Sequence, residues 1–203
     1  MSSRTSPPTE LVTSVLADVA AFGLENDARV TERGHRMLNV TPDTGRLLRI
    51  LVQVSGARRI LEIGTSNGYS TLWLAWAATE TDGHVDSIDA SSEKLAMAQA
   101  NLVRAGLADR VTLHRGPAAT VLANLPGGFE FIFLDADRSN YLTYLNMLLP
   151  QLLDGGLLVT DNVVSHATEL EAYLTRLRSD PLLESVTLPV GKGEELTLKQ
   201  RTD

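Results

Sequence analysis

Residues 59–71, RILEIGTSNGYST, place an acidic side chain and two glycines directly after an apolar run, a combination typical of a ligand-binding loop. The glycines are spaced G-x-x-x-G, which differs from the G-x-G-x-x-G fingerprint of dinucleotide-binding proteins. The carboxylate of Glu62 would repel a pyrophosphate, because two full charges about 4 Å apart interact by about 4 kcal/mol at an effective dielectric constant of about 20. The same carboxylate favours a cationic ligand. S-Adenosylmethionine has an ammonium and a sulfonium group, and its carboxylate suits the backbone N–H groups at a helix start.

A second acidic residue, Asp89, ends the next predicted strand, 25 residues after Gly64. Nucleotide-binding α/β folds place a ribose-binding acid at about this position. Glu62 and Asp89 are therefore candidate cofactor-binding residues. The alternative is that Gly64 and Gly68 only permit a tight turn and that both acids are solvated strand ends.

Three further oxygen-bearing side chains, those of Asp135, Asp161 and Asn162, end two later predicted strands. Parallel strands deliver such residues to one edge of a sheet, and oxygen ligands favour Mg²⁺, Ca²⁺ or Mn²⁺ over zinc. Equally, Asp161 and Asn162 could cap the following helix while Asp135 is an exposed strand end. The residue types alone leave both interpretations open.

The elements that must position these residues alternate between short apolar runs and helical patterns, which predicts parallel βαβ units. Their order predicts an α/β, Rossmann-like sheet of seven strands with helices on both faces, mostly parallel but ending in an antiparallel hairpin around the GKG turn at 191–193. The predicted strands are 58–64, 83–90, 111–116, 129–137, 157–162, 182–190 and 194–200. The predicted helices between them are 69–79, 92–106, 118–127, 140–156 and 167–180. Ligands bind at the carboxyl ends of the strands in such sheets.

The N-terminal region has a different pattern. Residues 1–10 have the composition of a disordered tail, and 11–203 are predicted to form a single domain, with 11–45 as a helical extension. A first helix is predicted over 9–23 with Thr9 as its cap, and Pro42 with Asp43 is expected to open the next helix.

Composition excludes several functional classes. The formal charge of −7 and pI near 5.1 argue against nonspecific binding to nucleic acid. The absence of cysteine from the 203 residues excludes disulfides and cysteine metal sites. No segment resembles a signal peptide or a membrane span, so a soluble, cytoplasmic protein is expected.

Four segments, in this order and spacing, resemble the cation-dependent O-methyltransferase family of the catechol and caffeoyl-CoA type: ARRILEIGTSNGYSTLWLA, VDSIDASSEKLAMAQANLVRAGL, FIFLDADRSNYLTYL and GGLLVTDNVV. The resemblance covers about residues 35–200. It implies transfer of a methyl group from S-adenosylmethionine to a hydroxyl of a small vicinal-diol aromatic acceptor, with Mg²⁺ or another divalent cation such as Mn²⁺ or Ca²⁺. It also implies a homodimer.

The resemblance further implies roles for individual residues. Asp135, Asp161 and Asn162 would hold the cation, which acidifies an acceptor hydroxyl that then takes the sulfonium methyl group in line. The implied cofactor-binding residues are Val40, Glu62, Gly64, Ser66, Gly68, Tyr69, Ser70, Asp89, Ala90, Ala118 and Asp135.

Candidate catalytic residues beside Asp135 are Arg138 and His166. Members of the family commonly have a lysine three residues after the first metal aspartate, where this chain has Arg138. A guanidinium stays protonated, so Arg138 is expected to stabilise the oxyanion or pair with an acceptor carboxylate rather than act as the base. His166, four residues after Asn162, is a candidate base, and a surface histidine is the alternative.

Three rival functions stay open. A relative that methylates a hydroxylated uridine of tRNA is disfavoured by the acidic composition. A nicotinamide-dependent oxidoreductase would need a pyrophosphate loop that tolerates Glu62. A non-catalytic protein that binds S-adenosylmethionine is the third, given Arg138.

Overall fold

The computed structural model describes residues 7–201, and its strands form one seven-stranded sheet in the order β3-β2-β1-β4-β5-β7-β6. β1 to β5 run parallel to one another, and β7 runs antiparallel to both β5 and β6. This topology confirms the predicted fold class. The strands are β1 (Arg59–Ile63), β2 (His84–Asp89), β3 (Val111–Arg115), β4 (Phe129–Leu134), β5 (Leu152–Thr160), β6 (Leu183–Leu188) and β7 (Glu194–Lys199).

Helices cover both faces of this sheet. They are α1 (Thr9–Arg29), α2 (Pro42–Ser55), α3 (Tyr69–Thr81), α4 (Ser92–Arg104), α5 (Ala118–Leu122), α6 (Tyr141–Leu148) and α7 (Glu171–Arg178). Successive strand side chains point to opposite faces, so Ile60 and Phe131 join the core under α1 to α4, whereas Leu61 and Ile132 join the core under α5 to α7. Within 7–201, no helix is both long and apolar enough to cross a membrane.

Local signals account for α2, the helix that precedes the glycine loop. The Thr41 side chain accepts a hydrogen bond from the Thr44 N–H, Pro42 occupies the first turn, and Gly56 ends the helix in the left-handed conformation with φ of 67°. The predicted opening at Pro42 and Asp43 is therefore confirmed.

The first helix differs from its prediction at both ends. Thr9 is the first residue of α1 rather than its cap, and Pro8 is the N-cap residue, without a side-chain hydrogen bond. The helix continues to Arg29, six residues past the predicted end at 23. Residues 1–6 of the predicted disordered tail lie outside the described residues, whereas Thr9 and Glu10 are helical.

The predicted bounds of helices and strands differ most from the structure in the second half of the chain. The predicted helix 140–156 ends at Leu148, and Leu152 already begins β5, because Pro150 interrupts the helical hydrogen bonding and Gln151 O accepts from the N–H groups of Gly128 and Phe129. Other predicted elements are too long or displaced. α5 ends at 122 rather than 127, α7 begins at 171 rather than 167, β4 ends at 134 rather than 137 and β5 ends at 160 rather than 162.

The terminal hairpin of β6 and β7 is linked to α7 by an ion pair between the half-exposed Arg178 and the buried Glu195. Glu195 has a fully buried side chain, and its two oxygens accept from Nε and Nη2 of Arg178 at 2.8 and 2.9 Å. Thr187 donates to the same carboxylate at 2.5 Å. These bonds raise the pKa of Arg178 and position the GKG turn that joins the two strands.

We expect Arg178→Met to lower the free energy of unfolding by about 1–3 kcal/mol, because the buried Glu195 carboxylate then has no positively charged partner in Arg178. Arg176→Gln is the matched control on the same helix. Its partly exposed pair with Asp180 is expected to contribute less than about 0.5 kcal/mol. Urea unfolding of both variants measures the difference, and equal losses would contradict the role assigned to Glu195.

Candidate active site

The ends of β1, β2 and β4 meet at a cavity of about 940 Å³ at the carboxyl edge of the sheet. This is the point where strand order reverses, since β1 has β2 on one side and β4 on the other. The Gly64 N–H donates to Ile88 O at 2.9 Å, and the Asp135 N–H donates to Ile63 O at 2.9 Å. Backbone hydrogen bonds therefore hold three strand ends together beneath the cavity.

The two loop glycines serve different contacts. Gly64 has φ of 107°, and a Cβ atom there would overlap the carbonyl oxygen of Asp135, so only glycine lets the β1 and β4 ends approach this closely. Gly68 has φ of 87°, and its Cβ would lie 3.0 Å from Ala98 of α4. Gly68 is the N-cap residue of α3.

Glu62 lies beneath the cavity rather than on its wall. Its side chain is fully buried, and its carboxylate accepts from the hydroxyls of Ser70 at 2.6 Å, Thr71 at 2.5 Å and Ser87 at 2.5 Å. Burial raises the pKa of Glu62 to about 7, against the opposing effect of these hydroxyl donors. Glu62 therefore does not line the cavity, and its role in binding the cofactor stays a prediction. The carboxyl group instead holds the first turn of α3 at the cavity.

Asp89 does lie on the cavity wall, and its orientation is set by the loop. Its Oδ2 accepts from the Ser66 N–H and its Oδ1 from the Ser91 N–H, both at 2.8 Å. Ser66 has φ of 48° and donates its hydroxyl to Met37 O at 2.8 Å, which ties the N-terminal segment to the loop. Asp89 is thus a positioned carboxylate and not a solvated strand end.

Nine of the eleven predicted cofactor-binding residues line the cavity, and Glu62 and Gly68 do not. The nine are Val40, Gly64, Ser66, Tyr69, Ser70, Asp89, Ala90, Ala118 and Asp135. The sequence analysis did not predict Asn67 as a cofactor-binding residue, although Asn67 lies within the glycine loop. It is 1% exposed and lines the cavity, and its amide nitrogen and oxygen have no hydrogen-bond partner among residues 7–201.

These features fit S-adenosylmethionine. Gly68 offers no capping side chain, so the first-turn N–H groups of α3 have no side-chain acceptor at the N-cap and suit a carboxylate. Asp89 retains acceptor capacity for ribose hydroxyls, and Asn67 has both a free donor and a free acceptor.

The predicted metal ligands come together at the other end of the cavity. Asn162 donates through Nδ2 to Asp135 Oδ1 at 2.9 Å and to Asp161 Oδ2 at 3.0 Å. Asn162 and Asp135 line the cavity, whereas Asp161 is 1% exposed and lies behind them. Two consecutive strand ends, those of β4 and β5, thus place these polar side chains in contact.

The sequence did not indicate a fourth member of this cluster, Glu194, because it follows Asp161 by a full helix and strand. Glu194 is fully buried, and its Oε1 accepts from the Thr44 hydroxyl at 3.0 Å. Its carboxyl group also faces that of Asp161. Burial is the main cause of raised pKa values in this cluster. It raises the pKa of Glu194 to about 10 and the pKa of Asp135 to about 8, and it also raises the pKa of Asp161.

The donor chemistry fits a hard divalent cation. Two carboxylates and an amide supply oxygen ligands, and their mutual repulsion is what a cation would relieve. The amide of Asn162 would have to present Oδ1 instead of Nδ2. No group of three or more His, Cys, Asp or Glu side chains within 7–201 is arranged to hold a metal ion. The metal site therefore stays a prediction.

Arg138 and His166 both line the cavity near Asn162. The side chain of Arg138 is 9% exposed, and its Nε donates to Glu169 Oε2 at 2.8 Å. Nδ1 of His166 lies 2.9 Å from the Ser165 hydroxyl, and partial burial, followed by the charge of Arg138, lowers the pKa of His166. His166 is therefore a cavity residue that favours its neutral form.

We expect Glu62→Gln to change how stability depends on pH. The folded-state pKa of Glu62, about 7, exceeds its ordinary value of 4.5, so its favourable contribution is complete below about pH 4.5 and is lost as the pH rises through 7. Glutamine cannot ionise. The free energy of unfolding of the variant, relative to that of wild type, should therefore rise by on the order of 3 kcal/mol as the pH increases from about 4.5 to 8. Urea unfolding at both ends of this range tests it, and a difference that does not vary with pH would show that Glu62 stays ionised.

The chain matches known methyltransferases along most of its length. Residues 17–200 match the O-methyltransferase family. The catechol O-methyltransferase of Niastella koreensis is 35% identical over 164 residues, 76% of this chain and 74% of the relative. The caffeoyl-CoA O-methyltransferase 1 of Eucalyptus globulus is 31% identical over 188 residues, 81% of this chain and 75% of the relative. The crystal structure of the O-methyltransferase from Bacillus cereus in complex with SAH has a TM-score of 0.78 at 30% identity, covering 98% of this chain and 94% of that one. The predicted resemblance is thus confirmed, and the chain belongs to the O-methyltransferase family of the catechol and caffeoyl-CoA type.

Proposed function

We propose that this protein transfers the methyl group of S-adenosylmethionine to a hydroxyl of a small catechol-like acceptor, assisted by a divalent cation. The proposal depends on one observation: a single cavity contains two groups of positioned polar side chains. One end has Asp89 held by two backbone N–H groups, and the other has Asp135 in contact with Asn162 and Asp161. The names of the relatives, catechol and caffeoyl-CoA O-methyltransferase, support the acceptor class.

At the cofactor end, the residues bind and orient. Asp89 accepts the ribose hydroxyls, and the first turn of α3, held by the bonds of Ser70 and Thr71 to Glu62, receives the amino-acid carboxylate. Tyr69 and Ala118 line the wall on which the adenosine and methionine parts rest. These contacts would fix the direction of the reactive methyl group.

At the acceptor end, Asp135, Asp161 and Asn162 would hold the cation. When bound, a divalent cation lowers the pKa of a hydroxyl that it contacts. His166, whose lowered pKa favours the neutral imidazole, is the residue that we assign to take the proton. Arg138 keeps its charge through its pair with Glu169 and would stabilise negative charge on the acceptor oxygen.

Three further properties remain part of the proposal: a homodimer, which the resemblance implies, and a cytoplasmic location and a single domain over 11–203, which composition and length predict. The uridine of tRNA is the second acceptor to test. No described feature favours it over a small aromatic ring.

The first test measures methyl transfer from labelled S-adenosylmethionine to a panel of catechols, with Mg²⁺ and with a chelator. We expect transfer that needs the cation, because the acidic end would otherwise lack the charge that acidifies the hydroxyl. A tRNA arm and a titration with nicotinamide dinucleotides run beside it. Dinucleotide binding in place of S-adenosylhomocysteine would overturn the proposal, and cofactor binding without any transfer would favour the non-catalytic alternative.

The second test separates the two ends of the cavity. Asp89→Asn is expected to weaken S-adenosylhomocysteine binding by about 10-fold, the cost of a charged hydrogen bond, while leaving Mn²⁺ affinity unchanged. Asp161→Asn is expected to weaken Mn²⁺ binding by about 10-fold or more, while leaving the cofactor affinity unchanged. Calorimetry measures both affinities. Asp18→Asn, which removes an exposed acid of α1 paired with Arg104, is the charge control. Loss of both affinities in either variant would contradict separate subsites.

A further inference from the structure

Lys192, in the GKG turn between β6 and β7, is held at the acceptor end of the cavity by its backbone. The Ser165 N–H donates to Lys192 O at 2.9 Å, and the Val163 N–H donates to Gly193 O at 3.0 Å. Gly193 has φ of 95°, and a Cβ atom there would overlap Val164. The turn therefore packs on the segment that directly follows Asn162. Backbone hydrogen bonds to Lys192 and to its neighbour Gly193 fix the position of Lys192.

The ammonium group of Lys192 is a charge without a fixed partner. It lines the cavity together with Asn162 and His166. Among residues 7–201, its Nζ has no hydrogen bond and no salt bridge. Arg138 on the same wall differs, because Glu169 already occupies its guanidinium.

Arg33 contributes a second such charge from the N-terminal segment. It lines the same cavity. Its guanidinium, too, has no hydrogen-bond or ion-pair partner within the described part of the chain. Two cations without a hydrogen-bond or ion-pair partner among residues 7–201 thus line the cavity that also includes His166, in a protein whose formal charge is −7. Such an arrangement favours an anion in the space between them.

We propose that Lys192, with Arg33, binds a carboxylate substituent of the acceptor, so that the preferred substrate is a catechol-like ring bearing an acid group. This inference rests on the proposed function, since it names the acceptor for that site. Lys192 is then a specificity-determining residue and takes no part in the proton transfer assigned to His166.

The test compares 3,4-dihydroxycinnamic acid with its neutral methyl ester, which keeps both ring hydroxyls. We expect wild type to prefer the acid. Lys192→Met should lower kcat/KM for the acid by about 10-fold more than for the ester, mainly through KM, because only the acid loses a charge-assisted contact. Lys192→Arg should restore part of the preference, and Arg33→Gln should reduce it. Arg104→Gln, which removes a cation of α4 outside the cavity, should leave the ratio unchanged.

The outcomes separate this inference from the proposed function. Transfer to the ester without a preference for the acid, or an equal loss with both acceptors in Lys192→Met, would overturn the carboxylate site while the methyltransferase assignment stands. No transfer to either acceptor would overturn the proposed function. In that case, the binding ratio of acid to ester in wild type and Lys192→Met, measured by calorimetry with S-adenosylhomocysteine present, still decides the inference. A ratio that Lys192→Met leaves unchanged would refute it.

Discussion

The close approach of the β1 and β4 ends is the contact on which the rest of the site depends. Gly64 packs against the carbonyl of Asp135, and the Asp135 N–H bonds to Ile63 O. Any side chain at Gly64 would separate these strand ends, and would thereby separate the cavity wall that we assign to the cofactor from the cluster around Asn162. The reversal of strand order at this point opens the crevice that both ends share.

Charge is distributed unevenly around that crevice. Buried acids lie beneath and behind it, where the low polarity favours their protonated forms: Glu62 below the loop, and Glu194 against Asp161. The cations Arg33 and Lys192 lie on its wall. A protein with a net charge of −7 therefore presents positive groups on the wall of this cavity.

Elements with strong local signals were predicted well, and elements set by distant pairing were not. α2 begins and ends where Thr41, Pro42 and Gly56 indicate. The segment at 149–156 has helical spacing, yet Leu152 pairs with Phe129 as strand, because a place in the sheet beside β4 outweighs local propensity. α3 is buried on nearly all sides, so its apolar pattern indicates a central helix without revealing which face meets the cofactor.

By itself, the sequence determined the alternation of strands and helices, the glycine loop and the set of acids at the strand ends, because these depend on local pattern and on the rule that parallel strands deliver their ends to one edge. Only the tertiary structure decided which of those acids reach the cavity. In the structure the Glu62 side chain is buried and accepts hydrogen bonds from three hydroxyls. The terminal hairpin, far along the chain, places Glu194 against Asp161 and Lys192 near His166. Such contacts depend on how β7 pairs with β5, and no local spacing records that pairing.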